Sequence, residues 1–234
     1  GGVGNLASGP LGITILNGKA YVSGSYNTGI ALGIFDIVTA ITTVKYLSVD
    51  ASPRFMQNDG SKVYMATSGA VRVYDPASDT ITSVSTQGRG MNDILVDSGI
   101  IYFTTPQTDG LVKMNTDGTG LTSFNIGVSG AHIRKAANGD IYVTSNTAHT
   151  VNKIPSGSST SQSFATGLLN DGPYGISLTP TGAYVWGFGD KKIRFLDFST
   201  QAIEQSKDIS TGSAKPYMGF TDSSGNVWGF ALGS

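Results

Sequence analysis

The sequence predicts an all-β fold, and three observations support this prediction: the composition, the turn residues and a repeated strand-like segment. Charged residues make up only 13% of the 234 residues, and 32 residues are glycine. Helices favour long runs of Ala, Leu, Glu and Lys, whereas short apolar runs between turn residues are typical of strands. The acidic residues agree with this, because all except Glu204 are aspartate, which favours turns.

A short apolar segment with an aromatic residue at its third position recurs along the chain. In five of the six copies this position is aromatic, and the intervals are 43, 38, 40, 43 and 43 residues, between Tyr21, Tyr64, Tyr102, Tyr142, Val185 and Trp228. Each repeat has strand-like runs separated by turn residues, and the second repeat has four, at 54–57, 62–67, 70–74 and 80–85. Four short strands per repeat of about 40 residues are typical of a β-propeller.

We therefore predict a six-bladed β-propeller with four-stranded blades, forming a single domain over residues 1–234. The sixth repeat is short, and the N-terminal segment has no repeat of its own. We expect residues 1–9 to complete the sixth blade, with 3–7 pairing beside 227–232, because closing the ring removes exposed strand edges. The aligned aromatic residues are predicted to pack inside the blades.

Charge and apolar pattern exclude several classes of function. The net charge is −1, with Lys and Arg scattered along the chain, which argues against nucleic-acid binding. The apolar runs are far shorter than the ~18 residues of a membrane span, which argues against membrane insertion. The chain contains no cysteine, so it has no disulfides. Because it begins Gly1-Gly2 without a signal peptide, we expect a mature product or part of a larger multidomain or oligomeric protein.

Several predicted inner strands begin with proline, one or two intervening residues and glycine: Pro10-Leu11-Gly12, Pro173-Tyr174-Gly175 and Pro216-Tyr217-Met218-Gly219. These segments resemble the loops of six-bladed NHL-type and gluconolactonase-like propellers, and the resemblance implies the same fold. Gluconolactonase-like propellers hold a divalent ion with Glu, Asn and Asp, and the glutamate comes early in the chain. Here Glu204 comes late, in a predicted outer strand, and this departure argues against a lactonase site.

The size, low charge and Gly/Ser/Thr-rich composition carry a second resemblance. The chain is similar to the receptor-binding propeller domain of the spike protein of marine membrane-containing phages, the corticovirus type. This resemblance implies a location on a virion or outside the cell, and a cell-surface receptor or glycan as the partner.

Ligands of propellers are expected where loops converge at the mouth of the central channel. The candidate ligand-binding residues at this mouth are Arg54, Asn92, His132, Arg134, Tyr174 and Tyr217, and the outer loops of the same face add Tyr26. The three tyrosines fall outside the repeat register, so they are free to contact a sugar or a protein partner. His132 is either a general base or a hydrogen-bonded wall residue.

Calcium is the cofactor that the polar residues of these loops could bind. Calcium prefers carboxylate, amide and carbonyl oxygens, and Asp93, Asp171 and Asn170 could supply them near the channel. The same residues could instead act as turn and cap residues.

The sequence therefore predicts a non-enzymatic recognition module that binds a receptor or glycan through the loops at the channel mouth. The scarcity of clustered acids and bases supports this prediction. The alternative is a metal-dependent lactonase- or lyase-like enzyme that uses Asp93, Asp171 and His132 at the same mouth.

Overall fold

The computed structural model describes residues 8–26, 29–47, 53–127, 129–167, 172–208, 215–222 and 224–232. Within these ranges the chain forms 22 strands in six antiparallel sheets and no helix. In the part of the chain that the structure describes, there is no helix that is long and apolar enough to cross a membrane. The chain divides into two compact units, a first unit of Gly1–Phe103 with Lys113–Thr122 and a second unit of Thr104–Val112 with Ser123–Ser234.

The first three sheets contain four strands each. Sheet 1 contains β1 to β4, at Ser8–Leu16, Lys19–Tyr26, Gly29–Asp36 and Thr42–Tyr46. Sheet 2 contains β5 to β8, at Phe55–Asn58, Val63–Ala66, Ala70–Asp75 and Thr80–Ser85. Sheet 3 contains β9 to β12, at Asp93–Asp97, Ile100–Thr104, Gly110–Asn115 and Thr122–Asn125. The four strands predicted for the second repeat are thus confirmed to within one residue at each end.

The remaining sheets follow the same plan. Sheet 4 contains β13 to β16, at Gly130–Lys135, Ile141–Ser145, Thr150–Ile154 and Gln162–Ala165. Sheet 5 contains β17 to β20, at Pro173–Leu178, Gly182–Gly187, Lys192–Asp197 and Ile203–Asp208. In its described part, sheet 6 contains β21 and β22, at Lys215–Thr221 and Val227–Leu232. Within each sheet the strands lie side by side in chain order.

The first strand of each sheet is its inner strand, because the first strands of consecutive sheets contact one another. In the first unit β1 contacts β5 and β5 contacts β9, and in the second unit β13 contacts β17 and β17 contacts β21. This arrangement brings the beginnings of β13, β17 and β21 together, which is where the candidate site lies.

The predicted ring closure rests on residues 1–7, which lie outside the described residues. Ser8 pairs with Ser25, so the described end of the N-terminal segment belongs to sheet 1. The pairing of 3–7 beside β22 and the single domain over 1–234 stay predictions.

The aligned aromatic residues mostly pack inside the sheets, as predicted. Tyr21, Tyr64 and Tyr142 are buried, and Tyr102 is half-buried. The prediction is wrong for Trp228, of which 55% is exposed.

The exposure of Trp228 follows from a glycine pair on the other face of sheet 6. Gly219 pairs with Gly229 across β21 and β22, and a Cβ at either position would collide with the indole ring of Trp186. Because neighbouring residues of a strand point to opposite faces, sheet 6 turns its glycine face to Trp186. Phe220 and Trp228 therefore lie on the opposite face, where both are exposed.

In two hairpins, the aligned aromatic residue of the repeat donates a hydrogen bond to an aspartate near the turn. Asp59 accepts a hydrogen bond from the Tyr64 hydroxyl at 2.8 Å, and Asp222 accepts one from the Trp228 indole N–H at 2.8 Å. The Trp228 indole and the Asn226 side chain lower the pKa of Asp222 to about 2. Burial alone would raise the pKa of Asp59, but hydrogen bonds from the Lys62 backbone, Tyr64 and Ser61 lower it to about 2.

We expect Trp228→Phe to raise the pKa of Asp222 towards the ordinary aspartate range. The substitution removes the indole donor that favours the ionised carboxylate. A carbon-detected NMR titration of the aspartate carboxyl groups measures this shift. The pKa of Asp59 in the same titration is the control, and an unchanged Asp222 in the variant would contradict the assignment of the indole as its main donor.

Candidate functional site

The candidate site is built on bulges at the beginnings of three inner strands. In sheet 5, Pro173 pairs with Gly187 and Gly175 with Trp186, so Tyr174 is an extra residue in β17. In sheet 6, the pairing passes from Pro216 to Met218, so Tyr217 is the extra residue in β21.

Sheet 4 has a bulge at the corresponding place. Gly130 pairs with Ser145 and Ile133 with Val143, so Ala131 and His132 together oppose the single residue Thr144. A bulge bends the strand and gives the side chain of the extra residue a new direction. His132, Tyr174 and Tyr217 therefore occupy similar bulged positions in three consecutive sheets of the second unit.

The side chains of the three bulges form one cluster with Phe188, and we call these four residues the aromatic cluster. The ring centroids of Tyr174 and Tyr217 are 4.7 Å apart. His132 meets both tyrosines nearly edge-on, at 5.5 Å from Tyr174 and 6.2 Å from Tyr217. Phe188 lies 5.9 Å from Tyr174 and 6.0 Å from Tyr217. Edge-to-face and tilted contacts at these distances are the favoured arrangements of aromatic rings.

The four residues of the cluster differ in their burial. His132 is only 1% exposed, whereas Tyr174, Phe188 and Tyr217 are half-buried. The tyrosine and phenylalanine rings therefore offer a partly exposed apolar surface, with phenol groups that can form hydrogen bonds. This combination suits a ligand with a flat apolar face and polar edges.

The glycine of the Pro-Tyr-Gly segment allows the two tyrosines to approach. A Cβ on Gly175 would lie 2.7 Å from both the Tyr217 carbonyl oxygen and the Met218 Cα atom. Any larger residue at this position would push β21 away from β17. The sequence motif thus sets both the bulge that carries Tyr174 and the spacing to Tyr217.

The structure places the other described ligand-binding candidates in β13 and just before β5 and β9. Arg134 lies in β13 and its guanidinium donates to the Ile133 carbonyl at 2.6 Å. Arg54 is exposed and Asn92 half-buried, just before β5 and β9 of the first unit. The side chain of Tyr26 lies outside the described residues.

The calcium candidates are only partly described. Asp93 is 3% exposed at the start of β9, and its carboxylate accepts a hydrogen bond from the Ile94 N–H at 2.8 Å. Asn170 and Asp171 lie outside the described residues. Among the residues that the structure does describe, no three His, Cys, Asp or Glu side chains form a group able to hold a metal ion. Calcium binding therefore stays a prediction.

Glu204 lies where the sequence predicted it. It is exposed in β20, the outermost strand of sheet 5, and its carboxylate accepts a hydrogen bond from Thr200 at 3.3 Å. The cluster residues of sheet 5 begin β17, at the other side of the same sheet.

A separate small cleft lies among residues of sheets 4 and 5, including Tyr142, Lys153, Phe198 and Gln201. Tyr142 and Phe198 stack in parallel with ring centroids 4.4 Å apart. The ammonium group of Lys153 is paired with Asp140 at 2.9 Å.

Phe188 is the cluster residue that the sequence analysis missed. It follows β18 directly, and Gly187 pairs with Pro173, so the register places Phe188 beside the bulge of Tyr174. The signal was the strand pairing across sheet 5, which no single segment of the sequence reveals.

The six sheets of short antiparallel strands, joined in chain order, define the protein as a β-propeller. No protein-family model matches the chain, and no curated protein matches it. Solved structures do match, and the three described below are 13–15% identical to this chain, so the likeness concerns the fold.

Lyases and a chain from a protein complex are among the similar structures. A catalytically inactive virginiamycin B lyase from Staphylococcus aureus, solved with quinupristin, is 15% identical with a TM-score of 0.80, over 97% of this chain and 85% of the lyase. A streptogramin B lyase is 15% identical with a TM-score of 0.65, over 96% of this chain and 91% of the lyase. A chain of a nidogen/laminin complex is 13% identical with a TM-score of 0.66, over 84% of this chain and 79% of that chain.

Proposed function

We propose that this protein is a non-enzymatic recognition module that binds a cell-surface receptor or glycan through the aromatic cluster. The observation that carries the proposal is the meeting of His132, Tyr174, Phe188 and Tyr217, from three consecutive sheets, in one aromatic cluster. In this proposal the cluster lies on the loop face at the mouth of the propeller channel.

The chemistry of the cluster supports the proposal. Half-buried aromatic rings lose little conformational entropy when a ligand covers them, and tyrosine adds a hydrogen-bonding group at the edge. The bulges fix the directions of Tyr174 and Tyr217 before any ligand arrives. Such preorganisation reduces the cost of binding. The match to a propeller from a nidogen/laminin complex agrees with a role of this fold in binding.

We further propose an attachment role, with the module outside the cell or on the surface of a virion. The low content of charged residues and the Gly/Ser/Thr-rich turns support a location of this kind. In this role the partner would be a receptor or a glycan on the surface of a host cell.

We expect Tyr174→Ala and Tyr217→Ala each to weaken binding by roughly 30-fold or more, since a central aromatic anchor contributes about 2 kcal/mol or more. The measurement is binding of the labelled chain to an array of defined glycans and to intact bacterial cells.

The matched control is Tyr46→Ala, because Tyr46 is a 60% exposed tyrosine of the first unit that takes no part in the cluster. This variant should bind like the wild type, and thermal unfolding should show that all variants are folded. A wild-type chain that binds neither the array nor cells would contradict the proposal, and so would cluster variants that bind normally.

The second candidate function is a lyase-like enzyme. The two lyases among the similar structures and the buried imidazole of His132 in the cluster favour it. Quinupristin, present in one of those structures, is the obvious probe. Conversion of quinupristin by the wild type and not by His132→Ala, followed by chromatography, would replace the recognition proposal with the lyase. Unchanged quinupristin would exclude a lyase with this substrate.

A further inference from the structure

Buried hydroxyl groups of three sheets donate to backbone carbonyls in the inner strand of the next sheet or just before it. Ser23 donates to the Pro53 carbonyl at 3.1 Å, Thr104 to the Ala131 carbonyl at 2.8 Å and Thr144 to the Tyr174 carbonyl at 2.8 Å. All three hydroxyl residues are fully buried.

The three donors occupy one position of the repeat. Each lies two residues after the aligned aromatic residue of its second strand, namely after Tyr21, Tyr102 and Tyr142. In these three repeats the same position therefore forms the same kind of bond towards the next sheet, and at Thr144 this bond reaches the aromatic cluster.

Thr144 contacts two bulges at once. Its hydroxyl oxygen accepts a hydrogen bond from the His132 N–H at 2.9 Å and donates to the Tyr174 carbonyl at 2.8 Å. A second acceptor, the His132 carbonyl, lies farther away at 3.4 Å. Because a hydroxyl has a single proton, the shorter contact identifies Tyr174 as the main acceptor.

We infer that Thr144 is a positioning residue, which fixes the imidazole of His132 against the ring of Tyr174 without itself contacting a ligand. A bulge has fewer ladder hydrogen bonds than a regular strand, so its backbone needs another partner to take one direction. Thr144 is that partner for the bulges of sheets 4 and 5. The consequence for ligand binding rests on the proposed function, whereas the consequence for ring geometry does not.

The test compares Thr144→Val, Thr144→Ser and Ser23→Ala with the wild type. Valine keeps the shape of threonine and removes the hydroxyl, whereas serine retains it. Ser23→Ala is the matched control, because it removes the equivalent bond of the first unit, which holds Pro53 and no cluster residue.

The primary measurement is the NMR shift of the His132 ring protons, which the neighbouring rings of Tyr174 and Tyr217 displace. We expect Thr144→Val to change these shifts, Thr144→Ser to retain most of the wild-type values, and Ser23→Ala to leave them unchanged. Wild-type shifts in Thr144→Val would overturn the inference, and so would an equal change in Ser23→Ala.

A measurement on the wild type covers the case in which Thr144→Val does not fold. A buried hydroxyl proton that donates to a carbonyl exchanges slowly with water, so the Thr144 hydroxyl proton should be visible and lie close to the Tyr174 backbone. An exchange-broadened or differently directed proton would overturn the inference.

The binding assay separates this inference from the proposed function. On the same glycan array, Thr144→Val should lose most of the binding that Ser23→Ala retains. If the wild type binds nothing while the His132 shifts follow the expected pattern, the proposed function fails and the positioning role stands. If the wild type binds and Thr144→Val binds equally well with unchanged shifts, the positioning role fails and the function stands.

Discussion

Trp186→Ala is expected to lower the free energy of unfolding by about 3–5 kcal/mol, the usual cost of removing a buried large aromatic side chain. Trp186 is only 5% exposed, and its indole fills the space over the paired glycines Gly219 and Gly229. It also donates to the Ser177 hydroxyl at 3.3 Å. Glycine has no side chain, so Gly219 and Gly229 cannot fill the cavity that alanine would leave at position 186.

The reciprocal change tests the same contact from sheet 6. Gly229→Ala places a methyl group against the indole ring and should cost about 1–3 kcal/mol, as overpacking of a tight contact does. Urea unfolding measures both variants.

Trp228→Ala is the matched control, because Trp228 is 55% exposed and should cost about 1 kcal/mol or less. The chain has two tryptophans, so each single variant retains one fluorescent reporter. Equal losses for Trp186→Ala and Trp228→Ala would contradict the packing described for sheet 6.

Asp140→Asn is expected to lower the free energy of unfolding by about 2–4 kcal/mol, because it removes one partner of a largely buried ion pair. The Asp140 carboxylate is 10% exposed and accepts hydrogen bonds from Lys153 at 2.9 Å, the Ser156 N–H at 2.9 Å and Asn138 at 3.0 Å. Asparagine would leave the ammonium of Lys153 without its counterion.

The stability difference between the wild type and Asp140→Asn depends on pH, because the fold shifts the pKa values of both Asp140 and Lys153. Burial alone would raise the pKa of Asp140, but hydrogen bonds from Lys153, Ser156 and Asn138 outweigh it and lower the pKa. The contribution is therefore complete above the unfolded pKa of about 4 and is lost as the pH falls through the lower folded value. Asp140 also raises the pKa of Lys153. The stabilisation that depends on the charged ammonium group of Lys153 is therefore lost only at strongly alkaline pH.

Asp79→Asn provides the control for this prediction. Asp79 pairs with Lys45 at 2.5 Å, but its side chain is 58% exposed, and solvent screens an exposed ion pair so that its loss has little effect on stability. Urea unfolding at neutral and acidic pH should separate the two variants. If the Asp140 variant were as stable as the Asp79 variant at neutral pH, Asp140 would not stabilise the fold.

The propeller fold could be predicted from the sequence because the repeat appears in local patterns. The spacing from Tyr21 to Trp228 and the turn residues of each unit depend on residues close together in the chain. The same local reasoning identified Tyr174 and Tyr217 as outside the repeat register, and the structure explains this by the bulges.

Other features depend on which strands pair, and local patterns do not contain that information. Phe188 joins the cluster through the register of β17 and β18. Trp228 matched the repeat and is nevertheless exposed, because a glycine pair decides which face of sheet 6 is packed. The role of Thr144 required the distance to a carbonyl thirty residues later in the chain.

The bulges also separate the stability of this protein from the chemistry of its surface. The extra residue of a bulge has no opposite partner, so its side chain can change while the pairing on either side of it is retained. Tyr174 and Tyr217 occupy such positions, whereas the glycines beside them hold the strands in place. New ligand preferences could therefore evolve, or be engineered, by exchanging these bulged residues without redesigning the sheets.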